Sequence, residues 1–114
     1  MPRNMSFALT TKQIRERTKT VTRRKGWEFL KVGDKLNACV RCMGLKKGEK
    51  PERLALLEVV SVRREPLHAI DDGDVWREGF NMPAHEFVEM FCQNMGGDRN
   101  QTVTRIEFKY LEAK

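Results

Sequence analysis

Seven cationic side chains fall within residues 12–25: Lys12, Arg15, Arg17, Lys19, Arg23, Arg24 and Lys25, against a single acid, Glu16. Such a cluster attracts phosphates and speeds encounter with a polyanion. Across the chain, 22 Lys and Arg outnumber 16 Asp and Glu, for a net charge of +6 at pH 7. The same excess also serves plain solubility, and composition alone does not choose between the two. Arg105 is a second cation of interest, either as a phosphate or base contact or as the partner of Glu107 or another acid. An aromatic beside such cations can stack on a base. With only six Phe, two Trp and one Tyr, most rings are needed for a core. Among Trp27, Phe29 and Trp76, the foremost stacking candidate is Trp76, next to Arg77 and Glu78.

Cys39 and Cys42 form a C-x-x-C pair, with Cys92, His68 and His85 elsewhere. Zinc would need two further ligands brought in from the helical region. Cys92 falls on an apolar helix stripe and reads as core. No metal, redox role or cofactor is therefore expected. The odd number of cysteines, three, and the mixed polar start from Met1 to Thr11 point to reduced thiols and a cytoplasmic location. No stretch approaches the ~18 apolar residues of a membrane span, so no membrane partner is expected.

These groups must be positioned by elements that the sequence pattern suggests. Ser6 to Leu9 reads as a short strand, and Thr10 to Gln13 as a capping box opening a helix to about Arg17. Lys19 to Arg24 reads as a strand ended by Gly26, followed by a compact apolar turn, Trp27 to Leu30. Val32-Gly33-Asp34 turns into a strand, Lys35 to Val40, and residues 43–53 read as an exposed loop. Leu54 to Val62 is apolar on both faces and should be a central strand. Asp71 to Asp74 starts a turn or helix, and Val75 to Gly79 holds a helical turn. Pro83 to Met95 is an amphipathic helix, with Phe87, Val88, Phe91, Cys92 and Met95 on one stripe and Gly96-Gly97 after it. Thr102 to Leu111 alternates as a final strand. Thr20-Val21-Thr22-Arg23 recurs as Thr102-Val103-Thr104-Arg105, an echo with no longer repeat around it. The expectation is one domain, residues 1–114, of α/β (α+β) class. About five strands should form a small barrel with two or three helices packed outside.

In order, the segments resemble the ASCH family of PUA-like domains, and especially its small stand-alone bacterial and phage members. The likeness rests on Lys19-Thr20-Val21-Thr22-Arg23-Arg24, Val32-Gly33-Asp34, Leu56 to Val60, Arg77-Glu78-Gly79-Phe80 with Glu86-Phe87, and Arg105 to Phe108. It implies a PUA-like β-barrel that binds RNA or a nucleoside or nucleotide. One ASCH group is similar to an amidohydrolase that deacetylates acetylcytidine with a Lys, a Thr and a Glu, which match Lys19, Thr22 and Glu78. Other members are ribonucleases or nucleic-acid binders. On this resemblance the primary expectation is an RNA- or nucleotide-binding domain with a basic cleft lined by Lys19, Thr22, Arg23, Glu78 and Arg105, and with Arg17, Thr20, Arg24 and Trp76 as further nucleic-acid-binding residues. The alternatives are the amidohydrolase and a phage or prophage protein that binds a host protein.

The implied chemistry has a neutral Lys19 amine taking the Thr22 proton as the hydroxyl attacks an acyl carbon. Burial and crowding by Arg17, Arg23 and Arg24 would lower the lysine pKa, and Glu78 would orient it or manage the leaving-group proton. One geometric condition follows. Lys19 and Thr22 are three apart, so in a regular strand they face opposite ways. To share a site they need a bulge, or Lys19 must lie in the turn before the strand. Otherwise Lys19, Thr20 and Thr22 are ordinary outward residues.

Overall fold

A computed structural model describes residues 3–40 and 52–111. Five strands, β1 (Arg3–Ser6), β2 (Val21–Arg24), β3 (Lys35–Cys39), β4 (Arg53–Pro66) and β5 (Thr102–Leu111), form one sheet in the order β1-β3-β4-β5-β2. Only β1 and β3 run parallel; the other neighbours are antiparallel. The sheet curls into a half-barrel and carries three helices, α1 (Thr11–Arg15), α2 (Asp72–Arg77) and α3 (Ala84–Met95). This is a small α+β fold of PUA-like type, as expected.

β4 lies at the centre of the sheet, as its two apolar faces require, and runs to Pro66, beyond the Val62 expected from hydropathy. A register shift between Val59 and Ser61 accommodates the curl, as bulges do. Met5, Phe7, Ile14, Leu36, Leu57, Ile106 and Phe108 fill the concave core. A second cluster joins Phe87 and Phe91 of α3 to Leu67, Ile70, Val75 and Val103. Met95, at the end of the same stripe, is exposed.

Three local expectations are corrected. The strand expected over Ser6–Leu9 ends at Ser6, and a 3-10 turn, Ala8–Thr10, follows. The capping box does not form: Thr10 makes no side-chain cap, and Gln13 instead donates to the Gly79 carbonyl at 3.1 Å. The basic strand begins at Val21, leaving Lys19 and Thr20 outside it. Most of the loop expected at 43–53, and Cys42 of the C-x-x-C pair, lie outside the described residues.

Candidate functional site

α1 ends when Arg17 takes a left-handed conformation at φ 61°, and the chain turns sharply into Thr18 and Lys19. Two hydrogen bonds then pin the connection: Thr20 N–H to the Arg77 carbonyl at 2.8 Å and Phe108 N–H to the Thr20 carbonyl at 2.9 Å. The Tyr110 hydroxyl donates to the Lys19 carbonyl at 2.6 Å. Lys19 therefore sits in the turn before β2, which meets the geometric condition for sharing a site with Thr22.

The end of α2 brings the acid. Asp71 caps this helix by accepting from the Asp74 N–H at 2.7 Å. Glu78 follows the last turn and is buried. Gly79 is required next. Its φ is +96°, and an added Cβ would lie 2.8 Å from Gln13 Cγ. The Lys19 ammonium donates to Glu78 Oε1 at 2.7 Å and to the Glu78 carbonyl at 2.8 Å. Both side chains are only 3% exposed.

Lys19, Thr22, Arg23, Arg24 and Glu78 line one cavity of about 220 Å³, whose other walls include Phe7, Phe80, Phe87, Met90 and Phe91. Within it, Arg24 Nε donates to Thr22 Oγ1 at 3.0 Å, and Arg24 also donates to the Ser6 carbonyl at 2.6 Å. The Arg24 guanidinium rests 4.7 Å from the Phe7 ring centroid. Burial pushes the Lys19 pKa below that of an ordinary lysine; Glu78 opposes this, and Arg24 and Arg23 reinforce it. Arg17, expected to share in that crowding, instead lies over the Tyr110 ring at 5.5 Å.

Arg23 reaches three acids. It donates to Glu78 Oε2 at 3.2 Å, to Glu65 Oε2 at 3.0 Å, and to Asp74 Oδ2. Arg105 donates to both Asp74 oxygens, at 2.7 and 3.0 Å. Arg23 and Arg105 are direct partners in the β2–β5 ladder. Like charges so placed repel, and Asp74 bonds both. The hydrogen bonds from Arg105, with the one from Arg23, hold the Asp74 carboxyl well below the usual carboxylate range against the effect of its burial.

The expected basic cleft thus takes a different form: a largely apolar cavity with a few convergent polar groups, where the Arg23 charge faces carboxylates. Four of the expected residues lie elsewhere. Arg105 is behind the cavity on Asp74, and Thr20 serves through its backbone. Arg17 is exposed. Trp76, 66% exposed, borders another hollow, on the far side of Phe80, with Lys12 and Gln13. Asp74, Glu65, Phe80 and Tyr110 escaped the sequence reading. For Asp74 a signal existed: it precedes Glu78 by four residues, the spacing that puts two side chains on one helix face.

No family model matches this sequence, and no curated protein is similar to it at a significant level. Solved structures are informative. The fold is ASCH-like: it is similar to a solved ASCH domain and to a second solved structure. An ASCH domain from Lactobacillus crispatus superposes with a TM-score of 0.67 at 14% identity, over 94% of this chain and 77% of that one. Protein EF3133 from Enterococcus faecalis, of family DUF984, gives 0.70 at 14% identity, over 97% of this chain and 80% of that one.

Proposed function

We propose that the cavity binds a nucleoside and that Lys19, Thr22 and Glu78 hydrolyse an amide bond on it, the substrate class being an acylated cytidine. The observation that carries this reading is the convergence of the three side chains on one cavity, with the buried Lys19 ammonium 2.7 Å from Glu78. Apolar and aromatic walls with a few polar groups suit a planar base. The ASCH-like fold is the setting in which a Lys-Thr-Glu set of this kind is expected.

In this mechanism Lys19 acts as the neutral amine. Its lowered pKa makes that form accessible. Thr22 Oγ attacks the acyl carbon while Lys19 takes the hydroxyl proton. Because Thr22 accepts from Arg24, its own proton is left to be donated toward the base. The tetrahedral intermediate collapses, the exocyclic amine leaves with a proton delivered by Lys19, and Glu78 stabilises the transient ammonium. Water then hydrolyses the Thr22 ester by the same proton path. Release of free cytidine from acetylcytidine is the test. Wild type and Thr22→Ser should turn over, the latter more slowly, whereas Lys19→Ala and Thr22→Ala should be inert while folded. Equal activity in Lys19→Ala refutes the mechanism.

RNA binding is a second reading, favoured by the exposed cations Lys12, Arg15, Arg17 and Lys25 on the segment that leads into and past Lys19. It requires RNA affinity that falls steeply with salt, and a shallower slope when Arg17 and Lys25 are replaced by Ala.

A further inference from the structure

We infer that Asp74 is a positioning residue for the Lys19–Glu78 pair: by fixing Arg23, it holds a guanidinium nitrogen on Glu78 Oε2 while Lys19 occupies Oε1. The inference rests on the reading of Lys19, Thr22 and Glu78 as the reacting set. Asp74 does not line the cavity, so it acts only through other groups. Each Glu78 oxygen has its own cation, which fixes the carboxylate plane. Arg23 can hold its end because its other terminal nitrogen is shared by Asp74 and Glu65. Asp74 is anchored in turn by the Arg105 fork and lies one helical turn before Glu78, whose N–H donates to the Asp74 carbonyl at 2.9 Å. One short helix thus delivers both acids in fixed relation.

The charged groups around the Lys19 ammonium come from several elements. Glu78 approaches from the end of α2, and Arg23 and Arg24 from β2. Asp74 of α2, Glu65 of β4 and Arg105 of β5 act through Arg23 and its ladder partner, and Arg77 of α2 donates to Asp74 at 3.1 Å. α3 contributes Phe87, Met90, Phe91, Asn94 and Met95 to the cavity, none of them titratable. The Phe80 ring lies 5.8 Å from the ammonium.

The experiment follows the Lys19 titration by 13Cε NMR in the unliganded protein, alongside kcat and KM on acetylcytidine. Asp74→Asn leaves the Arg23 charge less compensated, so the Lys19 midpoint moves down. Arg23→Met removes that charge and moves it up. Asp74→Glu keeps the charge but displaces the carboxylate by one methylene. The Lys19 midpoint then stays near wild type, while kcat falls by roughly 10²-fold at nearly constant KM, as for a group misplaced by about an ångström. Folded Asp74 variants with wild-type midpoint and wild-type kcat would reduce Asp74 to a structural role and overturn the inference. Should neither fold, a static midpoint in Arg23→Met overturns it equally. An inert wild type whose midpoints move as stated removes the amidohydrolase reading and leaves the positioning intact.

Discussion

Glu78→Gln removes the charge that the buried Lys19 faces while keeping shape and an acceptor oxygen. With both side chains 3% exposed, water does little to replace the lost carboxylate. Removing one partner of a buried ion pair costs about 3–5 kcal/mol, and the retained amide oxygen places this change near the lower end. The cost depends on pH, because Lys19 can shed its proton. Its pKa is already below the ordinary 10.5 through burial, with Glu78 opposing the shift; in the variant that opposition is gone and the folded pKa falls further. Above the folded pKa of the wild type, Lys19 is neutral in both folded proteins, so its share of the gap closes and what remains is the loss of the Glu78 charge that faces Arg23. As pH falls between the two folded values, the folded wild type takes up a proton that the folded variant refuses, and the gap widens by up to about 1.4 kcal/mol per pH unit. It levels off below the folded pKa of the variant. Urea unfolding of both proteins at pH 7, 8, 9 and 10 measures this directly. At pH 7 the loss should lower the melting temperature by about 10 °C or more in a domain of this size. A stability difference under about 1 kcal/mol, or one constant from pH 7 to 10, would refute the reasoning.

Other outcomes can be checked separately. On acetylcytidine, Glu78→Gln should lower kcat while nucleoside binding persists. The pH–rate profile of the wild type should rise with deprotonation of Lys19, at a pH below that of a free lysine. The sole tyrosine, Tyr110, is pushed up to about 12 by burial, so ultraviolet titration should show tyrosinate appearing well above pH 10. Since the folded pKa is raised, this group's contribution is fully present below pH ~10 and is lost as pH rises through the folded value. Tyr110→Phe, which removes the bond to the Lys19 carbonyl, should cost about 1 kcal/mol in urea unfolding. Gly79→Ala meets both a left-handed φ and the Gln13 side chain, and should cost more than about 1 kcal/mol by thermal melting.

The sequence made the elements with strong patterns legible. β5 spans Thr102–Leu111 as its alternation indicates, and α3 ends where Gly96 follows Met95. The turn at Arg17 was not legible, because a non-glycine residue at positive φ carries no compositional mark. The sequence pattern therefore starts the strand at Lys19, where the structure starts it at Val21. Thr10 and Gln13 had the right spacing for a capping box, but a tertiary acceptor, the Gly79 carbonyl, took the glutamine. The charge pattern sets residues 12–25 apart from the rest of the chain. It did not reveal that Arg23 faces three acids distant in sequence, since ion pairs between β2, β4 and α2 depend on the fold. The short echo between residues 20–23 and 102–105 gained meaning only through the ladder, which sets Arg23 opposite Arg105.

The half-barrel leaves β1 and β2 as its two outermost strands, and no ladder joins them. Arg24 does so instead, by its hydrogen bond from β2 to the Ser6 carbonyl on β1. Ser6 and Arg24 both line the cavity, so part of its wall is a seam closed by a side chain, where a full barrel would have backbone. Such a closure can part without breaking a ladder of the sheet. It also shields part of a strand rim that would otherwise invite pairing with another chain. Replacing Arg24 should therefore weaken the link between these two outermost strands while leaving every ladder of the sheet in place.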